Sequence, residues 1–348
     1  MLIVKKFTLV LLISLLLINL SIAQSGGDQT YKFLTLPNSA RIAGMGSNFL
    51  TINDNDINLA LANPSLINEK MHNNLGLSYV DYHSDINYGY ATYGRSFKKL
   101  GNFVATMQFI DYGTFDYADE TGNRQGTFGV NEYAMNIGWG RSLDSTFFIG
   151  ANLKGIASNY ESYNSYGLAV DVAGTYYNEK AKFTASLIFS NIGTQLKSYN
   201  GYSEALPFEI KLGMSKSMQH IPLTFSVLLT NLQKWDLSYE EETTTLSTDE
   251  QSEKSGIEKF TNNAMRHIVI GAELRPFKVL RVRLGYNYLR RQEMVIDTKP
   301  GTVGWSWGLG IKVYKFEVAY ARSAQYLGPS FNFFTVTTNL ESFFNTIE

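Results

Sequence analysis

Alternation of period two, renewed in segment after segment from Leu75 to Leu340, limits this chain more than any other feature it has. In one segment Tyr133, Met135, Ile137 and Trp139 fall on one side while Glu132, Ala134, Asn136, Gly138 and Gly140 fall on the other. Leu168, Val170 and Val172 alternate with Gly167, Ala169, Asp171 and Ala173, and Trp305, Trp307, Leu309 and Ile311 with Ser306, Gly308 and Gly310. One face of each strand is therefore oily and the other small or polar. A soluble β-sandwich has the same alternation, so the pattern alone leaves two architectures open.

Segment and connection lengths separate them. Roughly fourteen segments of about 8 to 12 residues are readable, the length that a tilted membrane strand needs. They lie near 75–82, 86–95, 102–112, 127–140, 147–158, 165–177, 182–190, 207–216, 223–235, 264–275, 280–291, 301–312, 313–322 and 330–340. Tight connections such as 97–101, 143–146 and 178–181 alternate with longer ones at 111–126, 159–165, 191–207, 236–263, 290–301 and 322–330. Short turns at one rim and long loops at the other are the asymmetry of an outer-membrane barrel. The connection through His83 and Ser84 breaks the rule, being short where a long loop is expected. The expected fold is all-β, a transmembrane outer-membrane barrel of about 14 antiparallel strands with both ends at the periplasmic rim and an N-terminal plug segment. Trp139, Trp305 and Trp307 are expected in its interface girdles.

Lys5 and Lys6, the apolar run from Phe7 to Leu20 and the small-x-small site Ser21-Ile22-Ala23 read as an export signal, so the mature chain is expected to start at Gln24. The chain then divides into a signal peptide at 1–23, a plug segment at 24–74 and the barrel at 75–348. There is no Cys, so an exported product has no disulfide framework and relies on a large fold. With 30 Lys and Arg against 31 Asp and Glu, no nucleic acid or acidic polymer is implied; membrane lipid is the expected surround. The acidic, Ser/Thr-rich stretch at 236–263 reads as a solvated loop.

Tyr31 to Ile67 lacks the alternation and cannot bury itself alone. Asp54 or Asp56 is expected to cap one short helical run over 57–62, which Asn63-Pro64 ends. Arg41, Asp54 and Asp56 are the expected contacts of this segment with inward wall charges such as Asp171, Glu209, Lys211, Arg281, Arg283 and Glu317. A charge facing the lumen is cheap, whereas Lys or Arg facing lipid at the midplane costs about 2–4 kcal/mol. The four His residues have no ligand spacing, and the run from Asn53 to Asn58 lacks the Gly and the final Glu of a calcium loop, with Ser65 where the Glu belongs. No serine stands in a nucleophile elbow and no glycine run leads into a phosphate loop. No metal, cofactor or catalytic centre is expected, and the chain reads as a non-enzyme.

Blocks of sequence resemble a known family. FLTLPNSARIAGMG at 33–46, DINLALANPSLI at 56–67, DINYGYATYG at 85–94, FIDYGTFDYADETGN at 109–123, SNIGTQLKSY at 190–199 and LPFEIKLGMSK at 206–216 are similar to the PorV/PorQ family of the type IX secretion system, nearest its PorQ branch, itself similar to FadL-type barrels. Asn63-Pro64-Ser65 stands where the family has Asn-Pro-Ala. The resemblance implies a fourteen-stranded barrel that anchors the surface protein PorZ, with PorU and PorV in one attachment complex. On that reading Tyr112, Phe115, Tyr117, Tyr199, Tyr202 and Tyr326 of the long loops are the expected contacts. The alternatives are a FadL-like transporter of hydrophobic small molecules, which needs an apolar path past the plug, and a PorV-like cargo shuttle.

Overall fold

The computed structural model describes residues 29–83, 85–238, 256–294, 301–324 and 330–344. Strands β1 (Asn74–His83), β2 (Ile86–Phe97), β3 (Gly101–Ala118), β4 (Arg124–Ser142), β5 (Phe147–Tyr160), β6 (Tyr163–Asn178), β7 (Phe183–Lys197), β8 (Glu209–Ser217), β9 (Leu223–Leu229), β10 (Ile268–Phe277), β11 (Leu280–Asn287), β12 (Trp305–Val313), β13 (Phe316–Ser323) and β14 (Phe331–Asn339) form one closed antiparallel barrel. Closure comes from β1 against β14, in register from Asn74 opposite Asn339 to Asp81 opposite Asn332. No strand is left with an unpaired edge.

The two faces separate as the alternation requires. Outward side chains such as Leu77, Met107, Met135, Ile137, Leu153, Leu284 and Leu309 are exposed around the barrel, a belt far larger than a soluble surface carries. This is the wall of a membrane-spanning barrel. No helix among the described residues is long and apolar enough to cross a membrane, so the strands make the crossing. Inward positions carry Thr106, Asn136, Asn152, Ser186, Ser215 and Ser306, all buried. Trp305 lies at the loop-side end of β12, while the Trp139 indole, near the other rim, donates to the Leu100 carbonyl at 2.8 Å.

Several boundaries differ from the sequence reading. The stretch 111–126, read as a loop, is mostly strand: β3 and β4 run to 18 and 19 residues and leave only 119–123 as a tip. Gly113 (φ +83°) sits in a bulge where Tyr112 and Gly113 oppose Val130, and these glycine and aspartate signals hid the continuing Phe115 and Tyr117 alternation. The supposed loop at 159–165 is a tight hairpin turned by Glu161 (φ +55°) and Ser162. Conversely, the ends of the expected strands at 223–235 and 280–291 are not strand. Tyr288–Met294 is a helix, because Leu-Arg-Arg-Gln-Glu-Met has strong helix formers, and the Asn287 side chain accepts from the Arg290 backbone N–H at 3.1 Å. A second helix, Gly256–Arg266, occupies the end of the low-complexity stretch. Residues 239–255 of that stretch, the expected signal peptide at 1–23 and Tyr326 lie outside the described residues.

Inside the barrel runs the non-alternating N-terminal segment. It begins at the long-loop rim, where the Thr30 N–H donates to the Ala205 carbonyl at 3.0 Å, and ends at the short-turn rim, where Asn73 N–H meets the Gly94 carbonyl at 2.9 Å. Two α-helical turns, Ala40–Gly44 and Leu59–Ala62, and three 3-10 turns fold it, not the single run expected. Ser39 caps the first, accepting from Ile42 N–H at 3.4 Å. Asn58 precedes the second without a side-chain cap; Asp54 and Asp56 instead accept from backbone N–H groups two residues on.

Inward glycines let this segment lie against the wall. A Cβ on Gly140 would stand 2.6 Å from the Ile67 Cβ and 2.8 Å from the Pro64 carbonyl oxygen; at Gly150 it would run into the Pro64 carbonyl, and at Gly285 into the Met45 backbone. These obstacles are backbone and cannot rotate away. The small face of the alternation is thus the surface against which a folded segment packs. We predict that Gly150→Ala or Gly285→Ala, each an overpacking cost of about 1–3 kcal/mol, leaves the barrel folded but makes residues 29–73 protease-sensitive. Gly174→Ala, where nothing lies within 4 Å of the new methyl, leaves proteolysis unchanged.

Candidate functional site

Two places gather polar and aromatic groups: the middle of the lumen and its long-loop mouth. In the lumen Arg41, 2% exposed, projects from the first helical turn into three carboxylates. Its guanidinium is bidentate on Glu273 of β10 (2.9 and 3.0 Å), and it also meets Asp54 at 2.8 Å and Asp56 at 3.1 Å. Glu273 in turn accepts from Arg283 at 2.8 Å and from Arg275 at 2.7 Å, and Arg275 reaches Asp54 at 3.3 Å. Three guanidiniums therefore face three carboxylates, and the cluster is neutral as a whole. Buried ions are costly outside such arrangements, because desolvation of each one costs several kcal/mol unless its partners repay it.

The structure thus brings Arg41, Asp54 and Asp56 together, but their wall partners differ from those expected. Asp171 pairs with Lys154 at 2.8 Å and Glu209 with Lys211 at 3.3 Å, wall to wall, and Arg281 pairs with Glu317 in the same way. Only Arg283 of the expected wall residues joins the cluster, through Glu273. Glu273 and Arg275 were not picked out from the sequence, although a signal existed: they occupy inward positions of β10, on either side of the outward Leu274. Asn63 donates to the Leu50 carbonyl at 3.4 Å and accepts from Ser65 at 2.7 Å; Ser65 also meets the Thr175 hydroxyl at 2.6 Å. Pro64 opens a single 3-10 turn, Pro64–Leu66, and is buried.

Beside the segment lies a cavity of about 20 Å³, room for about one water, lined on one side by Leu34, Leu36, Leu61 and Ala62 and on the other by Lys154, Asp171, Asn191 and Lys211. It adjoins a bulge in β7, where Ser190 and Asn191 (φ +59°) together oppose Asp171 and the ladder to β6 is interrupted.

The mouth is formed by β3 to β7, which run to 14–19 residues against 7–12 for the other strands. Of the aromatic positions expected to form one contact strip, Phe115 and Tyr117 pack with Phe128 on the β3–β4 hairpin (ring centroids 5.5 and 4.9 Å). Tyr202 is 79% exposed on the β7–β8 loop. Tyr112 and Tyr199 turn inward to Tyr160 at the mouth, with centroids at 6.1 and 5.4 Å from its ring. At the hairpin tip Asp119 accepts from the Thr121 hydroxyl (2.6 Å), the Asn123 backbone N–H (2.8 Å) and the Asn123 side chain (3.1 Å). These donors, the Thr121 hydroxyl foremost, hold its carboxyl well below the usual range.

No protein-family profile matches the sequence, and no curated protein does. Among solved structures, the chain is similar to the Ralstonia pickettii toluene transporter TbuX (9% identity, 87% of this chain and 99% of that one, TM-score 0.49). It is similar also to the Pseudomonas putida toluene transporter TodX (10%, 87% and 96%, TM-score 0.49) and to the CymD monoaromatic hydrocarbon channel (10%, 87% and 96%, TM-score 0.47).

Two predictions follow from these geometries. Arg41→Met leaves three carboxylates facing two guanidiniums, and equilibrium unfolding in detergent should register a loss of about 3–5 kcal/mol; adding Glu273→Gln should cost much less than the sum of the two single changes. At the tip, the lowered Asp119 pKa means that its turn is fully supported above the normal carboxylate range and loses that support as pH falls through the folded value. Protection of the Thr121 and Asn123 amides, measured against their intrinsic exchange rates, should fall in acid, and Asp119→Ala should produce the same loss of protection at pH 7.

Proposed function

We propose that this chain is a non-enzymatic outer-membrane anchor of the type IX secretion attachment complex, and that it holds a surface protein of the PorZ kind, alongside PorU and PorV, at its long-loop rim. The observation that carries this reading is the one-sided height of the wall. A tilted strand of about 9–11 residues spans the bilayer, so β3 and β4 extend up to about 8 residues, roughly 25 Å along the strand, beyond it. That extension presents Phe115 and Tyr117 to solvent, and the start of β6 beside it presents Tyr163 and Tyr166, the aromatic composition of a protein contact surface. Two things support it further. The sequence blocks at 33–46, 56–67 and 109–123 resemble the PorQ branch, and the lumen is occupied by the segment that Arg41 ties to β10, which fits a barrel used as a foot. In this orientation the long-loop rim faces outward and the short turns face the periplasm.

A second reading, uptake of a hydrophobic small molecule, is favoured by the apolar side of the lumenal cavity at Leu34, Leu36, Leu61 and Ala62 and by the interrupted ladder beside it. Toluene and monoaromatic hydrocarbons are the compounds in the names of the similar solved structures. Under this reading the Arg41 cluster would have to open for passage.

One pair of measurements separates them. Replacing residues 114–127 by a two-residue turn should leave the barrel assembled in outer membranes, by its heat-dependent mobility in gels, while a tagged copy no longer retains the surface protein. The same variant should leave toluene uptake into proteoliposomes at the level of empty vesicles. Retention of the surface protein after the deletion refutes the anchor, and uptake abolished by locking the segment to the wall establishes the transporter.

A further inference from the structure

Glu132 is a buried carboxylate without a cation among the described residues. Among the described residues four carboxylates are buried: Glu132, Asp171, Glu209 and Glu273. Three of them have a Lys or Arg nitrogen within 3.3 Å. Glu132, 2% exposed, has only hydroxyls, accepting from Tyr112 at 2.7 Å on one oxygen and from Ser158 at 2.8 Å on the other. Two neutral donors occupy two of about four acceptor sites on a carboxylate, and no Lys or Arg among the described residues reaches the rest. Lys197, on the neighbouring part of the mouth, lies over the Tyr166 ring at 5.8 Å instead.

The surroundings of Glu132 have a definite chemistry. Tyr112, Tyr160 and Tyr199 stand around it as a group: Tyr112 and Tyr160 are tilted by 38°, Tyr160 and Tyr199 are edge to face at 84°, and the Tyr199 hydroxyl donates to Ser158 at 2.6 Å, the same hydroxyl that supports Glu132. All three rings are partly exposed at the mouth, whereas the carboxylate beneath them is not. Tyr31 of the lumenal segment, bonded to Ser165, closes the floor. Aromatic faces attract cations through their quadrupole, and a carboxylate at the base of the group adds full charge complementarity in a partly dehydrated place.

We infer that Tyr112, Tyr160 and Tyr199 over Glu132 form a binding site for one organic cation, a guanidinium or an alkylammonium, as carried by an Arg or Lys side chain of the surface partner. The site names the chemistry of the docking rim and in that respect rests on the anchor reading, but it is measurable without any partner. A planar guanidinium would stack on a tyrosine face and place its N–H groups on the free acceptor sites of Glu132, completing the pairing that the other buried carboxylates already have.

The test is saturation-transfer NMR on the full chain in detergent micelles, with n-butylguanidinium as probe and n-butanol as its uncharged counterpart. The wild type should bind butylguanidinium and not butanol. Glu132→Gln, which keeps the shape and one acceptor oxygen but removes the charge, should weaken binding at least tenfold. Tyr160→Phe, which keeps the ring, should retain binding, while Tyr160→Leu should weaken it several-fold and Tyr202→Ser should leave it unchanged. If Glu132→Gln fails to fold, the contrast between Tyr160→Phe and Tyr160→Leu decides the matter. Equal binding of butanol, no binding by the wild type, or equal binding by Glu132→Gln or Tyr160→Leu overturns the cation site. None of those outcomes touches the hairpin-deletion result, on which the anchor reading stands or falls.

Discussion

The ladder that joins β1 to β14 is the constraint on which the rest of the molecule depends. Within a bilayer no water is available to satisfy backbone N–H and C=O groups, so a sheet there must close on itself. Closing it between Asn74 and Asn339 puts the start and the end of the wall at the same rim. Whatever precedes Asn74 must then leave that rim or enter the ring. Here it enters, and it travels the whole height to meet Ala205 at the other mouth.

Entry is possible because the wall was built to receive it. A ring of fourteen strands whose inner side chains were all large would have no room for a chain with its own helical turns. Glycines at 140, 150 and 285 bring wall backbone against segment backbone, and hydroxyls at Ser165, Thr175 and Ser215 meet Tyr31, Ser65 and Thr51. Apolar contact supplies part of the adhesion: Phe33, Ile42, Met45, Phe49 and Leu59 are buried. The Arg41 cluster adds direction, since its bidentate pairing with Glu273 is satisfied at one position only.

The same logic distinguishes the two polar clusters. In mid-lumen every buried charge has a counter-charge, so that cluster is complete and acts on packing and seating. At the mouth Glu132 is satisfied, among the described residues, by hydroxyls alone, in reach of aromatic rings that are open on one side. One arrangement holds the chain together, and the other has binding capacity left over.

The strand count, the antiparallel closure and the division into an oily and a small face were legible because they depend on alternation, which a sequence displays residue by residue. Strand ends were less so. At 111–126 Gly113 and Asp116 read as loop, and only pairing with β4 across a bulge makes that stretch strand; at 288–294 the alternation of Tyr286 and Tyr288 suggested strand where helix-forming residues no longer held by lipid take over. The wall partner of Arg41 was not legible, since Glu273 lies far from it in sequence and meets it only once the ring has closed. What the sequence by itself determined was which side chains face lipid, because that choice is local and recurs every second residue. What only the tertiary structure decided was which charges and hydroxyls face each other across the lumen, because that follows from strand register and from the path of a segment with no period of its own.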